Sequence, residues 1–265
     1  APATVRAEEL TEIEQLGKEL FFDMNLSVNR TQSCATCHAA EVGFTGPDAA
    51  INEAGAVMPG ALEDRFGDRK PPSAAYAGAS PPLYFDAETG RWIGGMFGDG
   101  RATGWTLNDD PLAEQAQGPY LNPLEMAMPG AKQVCIRVAH SSYADLFQAV
   151  WGDKSLDCVK DVTGAYDRVA VSIAAYERSA EINPFTSKFD LFWDNAKAAG
   201  KDVSKIGFGN GMDPNRWQNY TNLGLTSTEL MGLAAFNDTT RGDCARCHSL
   251  GSSMDERPLF TDFSY

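Results

Sequence analysis

Histidine is scarce in this chain, with three in 265 residues, and two of the three directly follow a cysteine. Basic residues are short as well, 22 Lys and Arg against 36 Asp and Glu, for a formal net charge of −14. Such a surface repels a phosphate backbone, so no nucleic-acid partner is expected. No apolar run reaches the roughly 20 residues that a helix needs to cross a bilayer, and no membrane span is expected. The chain opens Ala1-Pro2-Ala3 with neither a charged n-region nor an apolar h-region, so any export signal is expected to have been removed. A glycine-rich run, Gly207-Phe208-Gly209-Asn210-Gly211, lacks the preceding strand and following helix that a nucleotide loop requires.

The chemistry lies with the histidines that follow cysteines. Cys34-Ala-Thr-Cys37-His38 and Cys244-Ala-Arg-Cys247-His248 both read Cys-x-x-Cys-His, the attachment signature of c-type haem. Each thiol adds across one porphyrin vinyl group, and the two-residue gap sets the sulfurs at the vinyl separation. The adjacent imidazole then sits under the iron as an axial ligand. Zinc and thioredoxin-like dithiols also use Cys-x-x-Cys. Zinc ribbons, however, bring two pairs within roughly 15 to 20 residues, whereas these lie far apart and each has its own histidine. Two covalently bound haem c groups are therefore expected, with His38 and His248 as iron ligands. In bacteria that attachment takes place outside the cytoplasmic membrane, so a periplasmic or otherwise exported protein is expected. The haem propionates add to an acidic surface that would steer a basic redox partner. The remaining cysteines, Cys135 and Cys158, fall in segments with helical apolar spacing. In an oxidising compartment such a spare pair reads as a disulfide rather than two free thiols.

Leu10, Ile13, Leu16, Leu20 and Phe21 share one side of a helix over 9–22, with Glu8 or Thr11 near its start. Ser227-Thr228-Glu229-Leu230 opens a comparable helix carrying Leu230, Leu233, Ala234 and Phe236. In each, a glycine in the helix is followed by Phe, an Asp or Asn, a loop and the cysteines. Phe44-Thr45 and Phe260-Thr261 come after the two motifs. This is the pattern of an internal duplication giving two cytochrome-like units. Residues 132–150 and 156–180 read as two helices joined by a turn at Trp151-Gly152-Asp153, with Asn183-Pro184 ending the second. Residues 39–123 are rich in Gly, Pro and Ala and are expected to be mostly irregular, wrapping the first haem and building its distal side. Residues 196–226 are again rich in loop signals. The expected fold class is mainly α, as two cytochrome c-like haem domains with long irregular loops.

Segments in order over nearly the whole chain resemble the bacterial dihaem cytochrome c peroxidase and MauG superfamily. They are Leu16 to Asp23 with Ser33 to His38, Arg69-Lys70-Pro71-Pro72-Ser73, Phe97-Gly98-Asp99-Gly100-Arg101-Ala102, Glu114 to Pro119 with Asn122 to Met126, Phe189-Asp190, and Cys244 to His248 with Phe260-Thr261-Asp262-Phe263. The resemblance implies an N-terminal peroxidatic haem domain over 1–183 and a C-terminal electron-transfer haem domain over 184–265. It puts Glu125 at the distal acid that handles peroxide protons and Gln115 at a residue lining the same pocket. Chemistry agrees for Glu125, since splitting a peroxide needs a group that takes a proton from one oxygen and returns it to the leaving one.

The sequence departs from the family in several places. No histidine occurs in 50–68, where many members have a distal ligand, so the first haem is expected to be open, with Met58 or Glu53 as substitute ligands. Gly98 replaces the Trp that usually lies between the haems, and Trp92 or Trp105 could stand in for it. The family continues beyond the Phe-Thr-Asp-Phe segment, so the C-terminal domain is expected to be incomplete here. A second polypeptide would complete it, or the remainder would have been cleaved or lost, or the second iron would be ligated unusually, for instance by Met254 or Tyr265. Lys70 stands where an Asn usually helps bind calcium, which puts that ion in doubt. His140, in a polar His-Ser-Ser-Tyr turn, reads as solvated rather than as a haem ligand. The expected function is a dihaem oxidoreductase using hydrogen peroxide, with electrons from a small cytochrome c or cupredoxin, or acting on a protein side chain. The alternative is a non-enzymatic dihaem electron-transfer cytochrome.

Overall fold

Residues 9–207, 216–251, 254 and 256–265 are described by the computed structural model. Thr11 starts α1 (Glu12–Phe22), where the Glu14 carboxylate accepts both the Thr11 backbone N–H and its hydroxyl at 2.7 Å. Glu8, the other expected start, and residues 208–211 of the glycine-rich run lie outside the described residues. The chain continues through α2 (Cys34–Cys37), α3 (Ala49–Glu53) and an antiparallel hairpin of β1 (Tyr84–Asp86) and β2 (Arg91–Ile93). Next comes α4 (Pro111–Leu121), a full helix inside the stretch expected to be irregular. Its start was legible: Asp110 accepts the backbone N–H groups of Leu112 and Ala113 at 3.1 Å, and Pro111 sits at the first helical position, where no N–H is needed.

Three helices follow, α5 (Ala131–Ala139), α6 (Ala144–Trp151) and α7 (Val162–Arg178). The helix expected over 132–150 is thus two. Ser141 Oγ donates to the Val138 carbonyl and the His140 ring N–H to the Ile136 carbonyl, both at 2.7 Å. Polar side chains there satisfy acceptors that a continuing helix would have used. Helix α7 begins later than expected because Asp161 caps the Gly164 N–H at 3.2 Å. Cys158 therefore lies in the loop before α7 and not on a helix. Its sulfur is bonded to that of Cys135 on α5.

The first unit, which runs to Pro184 and includes Tyr265, is built on α7. Helices α1, α4 and α5 all pack on it. Ala165, Ala170 and Ala174 keep α7 slim, and α1 approaches so closely that a Cβ on Gly17 would lie 1.9 Å from the Ser172 carbonyl oxygen. Leu16, Leu20 and Phe21 of α1 join Val169, Ile173 and Tyr176 of α7 in one core. Burying a side chain of that size contributes roughly 1.5–3 kcal/mol.

The second unit, Phe185–Ser264, holds α8 (Lys188–Ala198) and α9 (Ser227–Asn237). Ser187 with Asp190 caps the first and Thr226 with Glu229 the second. Phe192 and Trp193 of α8 share a core with Val203, Ile206, Tyr220 and Leu230. The fold is mainly helical, with one two-stranded sheet among the described residues. No helix among them is long and apolar enough to cross a membrane.

Candidate functional site

The first motif forms a single helical turn. The Ser33 N–H donates to Thr36 Oγ1 at 3.0 Å, and the turn puts Cys34 and Cys37, three residues apart, on one face. Beyond it the chain folds back on itself, with Ala39 N–H to Thr45 O at 3.0 Å and Phe44 N–H to Ala39 O at 2.8 Å. That small loop holds Phe44 at φ +59° with its carbonyl 3.1 Å from His38 Nδ1. A carbonyl has no proton to give, so Nδ1 carries the hydrogen and Nε2 keeps its lone pair free for a metal.

Cys34, Cys37 and His38 line a cavity of about 280 Å³, together with Gln115 and Glu125. Burial pushes the Cys37 thiol up to about 11, with the Glu125 charge adding to it, and pushes Cys34 up further still. Burial also lowers His38, against the opposing pull of the Phe44 and Pro72 carbonyls. The cavity thus presents two neutral, unbonded thiols and a neutral imidazole. These are the groups that a covalently attached haem uses, two thiols for its vinyl groups and an imidazole for its iron. Among the described residues, no three His, Cys, Asp or Glu side chains gather as a metal site. Arg69, Lys70 and Arg101 line the same cavity and suit the propionate carboxylates. Arg69 and Arg101 are held by one partner, each 2.9 Å from Asp99 Oδ2.

Glu125 sits in a turn fixed from several sides. Leu124 N–H donates to Asn122 Oδ1 at 2.9 Å, Met126 N–H to Pro119 O at 3.1 Å and Met128 N–H to Tyr120 O at 2.8 Å. From elsewhere in the unit, Ala61 N–H reaches Glu125 O at 2.7 Å and Val28 N–H reaches Met126 O at 2.9 Å. The carboxyl is half-buried, and that burial, with Asp68 nearby, raises its pKa against the pull of Asn122 and Arg101. Gln115 and Pro119, one turn apart on α4, both face the cavity.

Among the lining residues that no motif marks is a buried carboxyl. Glu177 on α7 is 6% exposed, and burial pushes its carboxyl up to about 8, with Asp110 adding and Arg178 opposing. Its signal was there: Val169, Ile173 and Glu177 follow one another at the four-residue spacing of a buried stripe, so a carboxylate stands in line with apolar residues.

The other candidates divide. Met58 is buried and lines the cavity, while Glu53 is exposed and does not. Gly98 lines the cavity at φ +68°, a conformation that a Trp would adopt only under strain. Trp92 and Trp105 are 46% and 61% exposed and lie outside the lining. His140 is exposed.

The second motif repeats the histidine arrangement. His248 N–H donates to Cys244 O at 2.8 Å, and His248 Nδ1 lies 3.1 Å from the Phe260 carbonyl, with Phe260 at φ +57°. Here the motif is a 3₁₀ turn, and Cys247 and His248 are exposed. Met254 accepts the Val203 N–H on its sulfur at 3.4 Å and packs on the second core. Tyr265 belongs to the first unit, its N–H donating to Trp92 O at 2.9 Å.

Two Cys-x-x-Cys-His turns, each with its imidazole set by a main-chain carbonyl, define a c-type dihaem protein. The chain belongs to the di-haem cytochrome c peroxidase family (CCP_MauG), whose model matches residues 11–198. It is 42% identical over 177 residues to the methylamine utilization protein MauG of Paracoccus denitrificans, covering 66% of this chain and 42% of that protein. With the cytochrome c551 peroxidase of Pseudomonas aeruginosa it shares 30% identity over 248 residues, covering 92% of this chain and 53% of that protein. The crystal structure of the diheme peroxidase BthA from Burkholderia thailandensis matches with a TM-score of 0.71 at 27% identity, over 98% of this chain and 54% of that one. The chain spans about half the length of these relatives.

Proposed function

We propose that the first unit is the peroxidatic half of a hydrogen-peroxide-dependent oxidoreductase and that the second carries an electron-transfer haem. The observation that supports this most is the meeting of Glu125 with Cys34, Cys37 and His38 in one cavity. Bound haem would supply an iron able to take up the oxidising equivalents of peroxide. The chain's own residues do the rest. Cys34 and Cys37 anchor the group, and His38 offers Nε2 from below, its ring fixed by Phe44. The Glu125 carboxylate takes a proton from one peroxide oxygen and returns it to the leaving one. The Gln115 amide would donate a hydrogen bond to peroxide entering the cavity, and Arg69, Lys70 and Arg101 would hold the propionates.

Electrons are supplied by a small cytochrome c or cupredoxin with a basic face, drawn by the acidic surface, or by a side chain of a protein substrate, as the likeness to MauG suggests. Covalent haem attachment supports an exported, periplasmic protein. Replacing Glu125 by Gln keeps size and removes the titratable proton. Oxidation of the haem by peroxide, followed by stopped-flow absorbance, is expected to slow by about 10² to 10⁴ with haem content unchanged. Equal rates in the two proteins would remove Glu125 from this role. A wild-type haem that ignores peroxide, with a low-spin spectrum at both irons, would make the chain an electron carrier instead.

A further inference from the structure

Peroxide chemistry at the first haem leaves unused a group of buried tyrosines behind Cys34. Tyr120 of α4 is 1% exposed, and its hydroxyl faces the Cys34 sulfur and no oxygen or nitrogen acceptor among the described residues. Its ring meets that of Tyr166 with centroids 6.3 Å apart. Tyr143 belongs to the same core, and both the Tyr143 phenol and the Asp23 carboxylate act electrostatically on Tyr120. No indole stands at position 98 of this chain to carry charge from the haem.

A buried phenol gives up an electron only if its proton has an acceptor, because a phenol cation in apolar surroundings is an unpaired buried charge. Here the four buried tyrosines of this core differ. Tyr120 faces only the Cys34 sulfur, which as a thioether of attached haem takes no proton. Tyr166 donates to the Gln117 main-chain carbonyl, a very weak base. Tyr176 donates to Glu181 at 2.9 Å, but Lys18 already neutralises that carboxylate at 2.7 Å. Tyr143 donates to Asp23 Oδ2 at 2.6 Å. Asp23 is partly exposed and forms no ion pair among the described residues; Arg137 acts on it electrostatically but gives its hydrogen bonds to main-chain carbonyls, and Asn25 N–H at 2.8 Å steadies the other Asp23 oxygen.

We propose that Tyr143, hydrogen-bonded to Asp23 and sharing with Tyr120 the core on which Cys34 packs, is a redox-active tyrosine that returns an electron to the first haem after hydrogen peroxide has oxidised it; this rests on the peroxide chemistry proposed above. In the step, the Tyr143 O–H bond breaks and an O–H bond forms on Asp23 Oδ2. One electron passes by way of the Tyr120 ring to the haem, which is reduced by one equivalent. A neutral tyrosyl radical remains on Tyr143, and a further electron with the proton from Asp23 restores the phenol. Tyr120 only relays, since a thioether sulfur is too weak a base to take its proton. The oxidising equivalent is thereby held near Asp23 and the surface, where a donor can reach it.

The test uses the haem-loaded chain, mixed with hydrogen peroxide without a donor, freeze-quenched and examined by electron paramagnetic resonance. Wild type is expected to show an organic-radical signal that narrows when the protein is grown on ring-deuterated tyrosine. Tyr143→Phe should lose that signal and Tyr176→Phe should keep it. Asp23→Asn, which leaves every tyrosine in place, should lose it too, so the proposal stands or falls even if Tyr143→Phe loads haem poorly. A signal surviving in Tyr143→Phe or in Asp23→Asn overturns the assignment. A haem that reacts with peroxide while no tyrosine signal forms overturns the relay and leaves the peroxidase reading intact. A haem that does not respond to peroxide at all overturns both.

Discussion

The two attachment motifs share a local device and differ in what surrounds it. In each, the histidine Nδ1 lies 3.1 Å from a phenylalanine carbonyl, His38 with Phe44 and His248 with Phe260, and both phenylalanines adopt left-handed backbone near +60°. Yet Cys37 and His38 are half-buried in a cavity, while Cys247 and His248 are exposed. Haem attachment and ligand orientation are thus written within about a dozen residues in both places. The first cavity is not: besides the motif it is lined by parts of 58–77 and 96–101, by α4, by the turn that holds Glu125 and by α7. The glycines of the preceding helices differ in the same way. A Cβ at Gly17 would strike the Ser172 carbonyl at 1.9 Å, whereas one at Gly232 would meet nothing within 4 Å.

Separating the two motifs has the largest expected effect. Mass spectrometry of the denatured wild type should show two added haem masses, and Cys34→Ala with Cys37→Ala, or Cys244→Ala with Cys247→Ala, should each remove one. The first pair of changes should also abolish the spectral response to peroxide, and the second should spare it. A wild type carrying one haem or none, or zinc in its place, would undo the comparison.

Glu177 tests the cavity wall through pH. Its carboxyl holds a proton up to about 8 in the folded chain against an ordinary 4.5, so between those values the native state binds more protons than the unfolded one. Stability should therefore fall as pH rises from about 4.5 to about 8 and level off above. Glu177→Gln should flatten that fall, as read by denaturant unfolding at pH 5 and pH 8. An unchanged slope would mean that Glu177 titrates as an ordinary surface acid.

Smaller effects grade the packing of the two units. Replacing Cys135 and Cys158 by Ser should destabilise the first unit by roughly 2 to 4 kcal/mol through loop-closure entropy. Two reactive thiols in the unfolded, unreduced protein would show that no bridge forms. Gly17→Ala should cost about 1 to 3 kcal/mol by overpacking α1 against α7. In contrast, Gly232→Ala should gain about 0.5 to 1 kcal/mol from helix propensity alone. If both changes destabilise alike, the second helix is packed as tightly as the first.

What could be read from the sequence was what lies close together in it. The attachment motifs, the capping residues Thr11 and Glu229, and the apolar faces of α1 and α9 are contiguous signals. Glu125 and Gln115 were singled out by family resemblance, because nothing in the local pattern separates Glu125 from a surface acid. Helix α4 was hidden by its glycine and proline, although Asp110-Pro111 marked its start. The break between α5 and α6 depends on the His140 and Ser141 side chains taking main-chain acceptors, which periodicity does not register. Cys158 was assigned to a helix because its neighbours have helical spacing, but the Asp161 cap starts that helix after it. The histidine-to-phenylalanine bonds were invisible for another reason: their acceptors are main-chain atoms, whose positions depend on backbone angles and not on residue type.

Those acceptors also set a property of the irons. A carboxylate behind an axial histidine raises the basicity of the imidazole and favours the ferric state, whereas a neutral carbonyl does so far less. Because His38 and His248 both have a carbonyl partner at 3.1 Å, neither imidazole gains the basicity that a carboxylate would give it. A difference between the reduction potentials of the two haems would then come mainly from the sixth position, from exposure to water, and from groups such as Glu125 that line the first cavity.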